Sequence, residues 1–155
     1  MVERRRLISV IGAGTADESL AAMARRVGAL LARRGWGVVT GGLGGVMAAA
    51  CQGASDQGGF TLGILPGMDP AAANPFCQVV IPTGMGQARN LLVVAAGAGA
   101  VAVGGAAGTL SEIGHALKAG KPVASLAGWQ VAGVITAGDP EAAVGALLTA
   151  LADSG

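Results

Sequence analysis

Between Leu7 and Leu126 the chain repeatedly sets an apolar run of four or five residues, too short for a buried helix, against a segment of helical length. Strands alternating with helices build βαβ units, whose strands pair in parallel and are covered on both faces. The runs predict strands at Leu7–Ile11, Trp36–Thr40, Thr61–Leu65, Gln78–Ile81, Ala100–Val103 and Pro122–Leu126, with a short seventh at Val134–Thr136. The expected fold is therefore α/β, a three-layer αβα sandwich with a mainly parallel sheet of six or seven strands. No linker or composition break divides the chain, so residues 1–155 are expected to form one domain.

Helices are expected at about Ala16–Arg34, Gly45–Gln57, Gly86–Ala96, Leu110–Ala119 and Pro140–Leu151. The first has Thr15 and Glu18 as a capping box, one apolar face from Leu20 to Leu31, and Gly35 as its stop. The last has Asp139 as N-cap and Pro140 at the first helical position.

Charge bounds the function classes. The net charge is +1, which gives no general attraction to nucleic acid. Seven of the eight arginines lie in the first 34 residues, where most fall off the apolar face of the first helix and read as solvated. The apolar stretches Leu91–Val103 and Val123–Ile135 are broken by Gly or Trp, and neither reads as a membrane span. The start carries no apolar signal segment. Cys51 and Cys77 fit no metal-ligand spacing and are expected to be buried, structural and reduced. Together these point to a cytoplasmic protein, with neither nucleic acid nor membrane as partner and no metal site.

Between Asp69 and Asp139 there is one carboxylate, Glu112, and in the same region one arginine, Arg89. Isolated charges in apolar sequence are solvated at a surface or kept for a site. Both are expected at the C-terminal edge of the sheet, where open α/β sheets bind ligands.

Three strand ends carry glycine. Gly12–Asp17, "GAGTAD", begins like a dinucleotide fingerprint but has Asp17 at the third glycine position, and no ribose-binding acid follows the second strand. "GGLGGVM" (Gly41, Gly42, Gly44, Gly45, Met47) and "GGAAGTL" (Gly104, Gly105, Gly108, Thr109) share the spacing GGxxG, and each opens a helix. Helix N-termini offer unpaired N–H groups, and glycine lets an anion reach them, so the pair predicts a phosphate site. Glycine at a βα turn also serves plain packing, and Thr109-Leu-Ser-Glu112 is also a capping box, so both readings stand. No nucleophile triad or metal motif appears.

In this order, Gly41–Met47, "GQARN" at Gly86–Asn90 and Gly104–Glu112 resemble the LONELY GUY (LOG) superfamily, often labelled "possible lysine decarboxylase". The similarity covers roughly Val10 to Val123. It implies a Rossmann-like fold, a homodimer or higher homo-oligomer, and hydrolysis of the N-glycosidic bond of a nucleoside 5′-monophosphate. That reading makes Arg89 and Glu112 catalytic and needs no cofactor. It places the phosphate ligand at Gly12 and on both glycine loops. The sequence departs from the motifs at Val103, Asn90 and Ser111, where family members carry proline, lysine and often glutamate. The chain is also similar to the short bacterial branch and to molybdenum cofactor carrier proteins, which implies a carrier of a phosphorylated pterin instead. Decarboxylation is not expected, because Lys118 and Lys121 sit at a helix end and not at a pyridoxal site.

Overall fold

A computed structural model describes residues 1–154. The strands are β1 (Leu7–Gly12), β2 (Gly37–Thr40), β3 (Thr61–Leu65), β4 (Val79–Pro82), β5 (Ala100–Val103), β6 (Val123–Leu126) and β7 (Ile135–Ala137). They form one seven-stranded sheet in the order β4-β3-β2-β1-β5-β6-β7. Every pairing is parallel. The expected sandwich is therefore present, with seven strands and no antiparallel member.

The helices are α1 (Glu18–Arg33), α2 (Val46–Asp56), α3 (Arg89–Ala96), α4 (Ala107–Lys118) and α5 (Pro140–Ser154). Alternation along the strands sorts the core into two layers. Ile8, Val10, Val38, Val101 and Val103 pack under α1, α2 and α5. Ile11, Val39, Ala100 and Ala102 pack under α3 and α4. Two glycines bring α1 and α2 into backbone contact: a Cβ on Gly28 would lie 2.0 Å from the Ala50 carbonyl oxygen, and one on Gly53 1.9 Å from that of Arg25. Between β3 and β4 there is only a short 3-10 turn, Pro70–Ala72, so this crossover is a loop lying over the sheet. No helix among the described residues is long and apolar enough to cross a membrane.

Several helix ends differ from expectation. α1 is capped by Asp17, whose side chain accepts from the Leu20 N–H at 2.8 Å, and not by Thr15 with Glu18. α1 ends as expected at Gly35, whose φ of +81° and paired backbone bonds close a Schellman turn. Gly86–Ala88 forms a 3-10 turn before α3. α4 begins at Ala107, three residues before the expected start at Leu110, so Thr109 lies inside the helix and caps nothing. Asp139 caps α5 as expected, accepting from the Ala142 N–H.

Lys121 does not serve its own helix. Its Nζ donates to the carbonyls of Val94, Ala95 and Gly97 at 2.7, 2.9 and 2.7 Å, closing the C-terminus of α3. Lys121→Met should cost about 1–2 kcal/mol of unfolding free energy, read as a lower denaturant midpoint at unchanged slope; an unchanged midpoint would show the three bonds to be energetically neutral.

Candidate functional site

Strand order reverses between β1 and β5, and the loops leaving these two strands part there at the C-terminal edge of the sheet. A cleft of about 430 Å³ opens at that place. Its walls come from the end of β1 and the loop after it (Gly12, Ala13, Gly14, Thr15), the loop after β2 and the start of α2 (Gly41, Leu43, Met47), the entry to α3 (Gln87, Arg89, Asn90) and the N-cap and first turns of α4 (Ala106, Gly108, Thr109, Glu112). Of the residues singled out in the sequence, Gly12, Gly41, Met47, Arg89, Gly108, Thr109 and Glu112 line the cleft.

Gly42, Gly44, Gly45, Gly104 and Gly105 are not among the lining residues. A Cβ on Gly45 would lie 2.5 Å from the Ala13 carbonyl oxygen, and the Val46 N–H donates to that same oxygen at 3.1 Å. At the β2 loop, therefore, glycine chiefly lets the β1 and β2 loops interlock. The β5 loop differs. Its N-cap, Ala106, has no capping side chain, and the first backbone bond inside α4 is Leu110 N–H to the Ala106 carbonyl. The preceding amides of this helix end are thus left without a capping side chain beside the cleft. Gly105 holds the loop in shape at φ +121°, where a Cβ would strike Thr109. From the far side the Trp129 Nε1–H donates to the Ala106 carbonyl at 3.1 Å, fixing the loop against the β6 end.

Arg89 is 6% exposed. Its Nε donates to the Ile64 carbonyl at 2.9 Å, Nη2 to the Gly41 carbonyl at 3.4 Å, and Nη1 to Asn90 Oδ1. Asn90 Nδ2 in turn donates to Gln87 Oε1 at 3.3 Å. The guanidinium thereby joins β3, the β2 loop and the α3 entry on one wall. Burial lowers its pKa, and the nearby Glu112 charge opposes that shift.

Glu112 is 8% exposed and has no hydrogen-bond partner among the described residues. The one ion pair among those residues is Arg26 with Glu141, so Arg89 and Glu112 share the cleft without direct pairing. Among the described residues no buried polar side-chain atom is left sealed and unpaired, so the Glu112 oxygens reach the cleft. Burial pushes this carboxyl up to about 7, and the attraction of Arg89 only partly offsets the burial. The capping reading of Glu112 is therefore set aside. Near neutral pH this group exchanges a proton readily and can donate as well as accept a hydrogen bond.

The sequence reading missed Gly14, Thr15, Gln87 and Asn90 as lining residues. In the "GAGT" loop only Gly12 is singled out by the sequence, although the position of the whole loop after β1 at the strand-order reversal is a signal for its neighbours as well. Among the described residues no group of His, Cys, Asp and Glu could hold a metal ion.

A parallel sheet with helices on both faces and a cleft at its reversal point defines a Rossmann-like fold. Residues 5–149 match the SLOG cluster4 family, and the chain belongs to that family. An uncharacterized protein of Archaeoglobus fulgidus is 48% identical over 119 residues, covering 77% of this chain and 78% of its own. Two solved structures are similar over nearly the whole chain. The molybdenum cofactor binding protein of the phototrophic bacterium Rippkaea orientalis is 33% identical, with a TM-score of 0.90 over 97% of this chain and 99% of its own. The molybdenum cofactor carrier protein of Chlamydomonas reinhardtii is 35% identical, with a TM-score of 0.88 over 96% and 99%.

Proposed function

We propose that this protein binds and carries a phosphorylated pterin, with the molybdenum cofactor as cargo, and does not hydrolyse it. The observation that carries this reading is the framework it shares along the whole chain with proteins named for binding or carrying that cofactor. The residues present fit such a cargo. The uncapped start of α4, with the hydroxyls of Thr109 and Thr15, suits a phosphate. Gln87, Asn90 and Glu112 offer both donors and acceptors to the edge of a pterin ring, and Leu43 and Met47 supply an apolar wall. The volume falls in the range of about 300–1,000 Å³ common for small-ligand sites. A homodimer remains part of the proposal, supported by the exposed Leu91, Leu92 and Leu110 on α3 and α4.

A specific observation favours a second reading, hydrolysis of a nucleoside 5′-monophosphate. A carboxyl at about 7 beside a buried arginine lies in the range of a general acid–base group. One experiment separates the two. The purified protein should release no free base from AMP or a prenylated AMP, and should co-purify a pterin that fluoresces after oxidation when made in a host that synthesises the cofactor. Rapid base release that falls by about a hundredfold or more in Glu112→Gln would overturn the carrier reading.

A further inference from the structure

Cys51 and Cys77 are 26 residues apart in sequence, yet the fold seats their sulfurs against neighbouring residues of adjacent strands, Thr40 and Gly63. The sheet explains the meeting. Thr40 on β2 pairs with Gly63 on β3. Cys51, reaching down from α2, lies 3.4 Å from Thr40 Oγ1. Cys77, at the end of the loop that replaces a helical crossover, lies over Gly63, where a Cβ would be only 2.6 Å from its sulfur. The bare glycine clears the space that seats the second thiol beside the first.

The pair is tied to the wall of the cleft. Thr40 Oγ1 accepts from the Gly42 N–H at 3.1 Å. The Asn74 N–H donates to the Gly42 carbonyl at 2.8 Å, and Asn74 Nδ2 to the Leu43 carbonyl at 2.9 Å. Cys51 is buried, but Cys77 lines a surface hollow of about 370 Å³ with Ser55, Phe76 and Gln78, through which a small oxidant can enter.

We propose that Cys51 and Cys77 are a reversible redox pair, which hydrogen peroxide converts to an intrachain disulfide that loosens the Gly41–Leu43 wall of the cleft. One sulfur of the pair, as thiolate, attacks the peroxide O–O bond and becomes a sulfenic acid, releasing hydroxide. The second sulfur displaces the sulfenic oxygen as water and closes the S–S bond. Two thiols and one peroxide give one disulfide and two waters, with two electrons passing from sulfur to oxygen. The first proton leaves the pair below the ordinary thiol value, because the remaining S–H, the Thr40 hydroxyl and Asn74 all stabilise the thiolate. Drawing the sulfurs in to a bond length of about 2.05 Å pulls on the Asn74–Cys77 segment and takes the Cys51 sulfur away from Thr40 Oγ1. Both changes strain the bonds that hold Gly42 and Leu43.

The test needs no ligand, so its outcome is independent of the cargo. Treatment of the intact protein with peroxide should remove two hydrogens by mass and link the peptides that carry Cys51 and Cys77. A dithiol reductant should reverse this, and Cys77→Ser should abolish it. Hydrogen–deuterium exchange at the Gly42 and Asn74 amides should then rise by about fivefold or more, the worth of one ordinary hydrogen bond. Oxygen addition to either cysteine without a link, or thiols that stay free, would overturn the pair. A linked protein with unchanged exchange would overturn its coupling to the cleft.

Discussion

Replacing Gly108 with alanine is expected to weaken binding of a phosphorylated ligand by about tenfold to a hundredfold, the worth of a charge-assisted hydrogen bond, while the protein stays at least as resistant to heat. Gly108 lies in the first turns of α4, lines the cleft and has no positive φ. A Cβ there would meet only Asn90 Nδ2, at 3.9 Å. The protein therefore accommodates the methyl, and helix propensity even favours it. What the methyl occupies is the space through which an anion must approach the amides at this helix end. Gly105 is the contrasting position: alanine there is strained at φ +121° and strikes Thr109, so stability and binding should fall together. The measurement pairs melting temperature with affinity for one ligand in phosphorylated and dephosphorylated forms. Equal weakening of both forms in Gly108→Ala would remove phosphate from this helix end.

Glu112→Gln should stabilise the protein by about 3 kcal/mol above pH 7 and by almost nothing below pH 4.5. The group titrates near 4.5 when unfolded and at about 7 when folded, chiefly because burial penalises its charge. Between those values the folded state holds the proton more tightly than the unfolded state, so stability falls as pH rises through the window. Each pH unit contributes about 1.4 kcal/mol. Glutamine resembles the protonated carboxyl in shape and cannot ionise, so the variant should lose this slope. Denaturant melts from pH 4 to pH 8 read it directly, and parallel stability curves for both proteins would mean that the carboxyl titrates normally. A carboxyl buried beside the cleft at such an expected cost to folding is placed as a group that serves a ligand would be.

The strands were legible because each is an apolar run too short for a helix and bounded by turn residues. Helix starts were legible only where a side chain marks them. Asp139 does so, whereas Thr15 and Asp17 compete over a few residues and only the folded loop decides between them. The start of α4 was read three residues late because Ala106 carries no capping group, while Thr109 and Glu112 imitate one. That uncapped end is also where the candidate site lies. Arg89 and Glu112 were found because they are the isolated charges of the middle region. Asn90 and Gln87 were not, since nothing in their spacing separates them from any helix entry. The meeting of the cysteines was illegible, because it depends on the β3–β4 loop passing over Gly63.

The cleft draws its walls from four separate stretches, 12–15, 41–47, 87–90 and 106–112, on both sides of β1. No fragment of the chain owns it, so it exists only while the sheet is whole. A ligand held there is bonded to the folded state alone, and at a hundredfold excess over its dissociation constant it adds about 2.7 kcal/mol to global stability. Proteases act on transiently opened chains. On the carrier reading proposed above, a loaded copy would therefore be expected to resist proteolysis longer than an empty one.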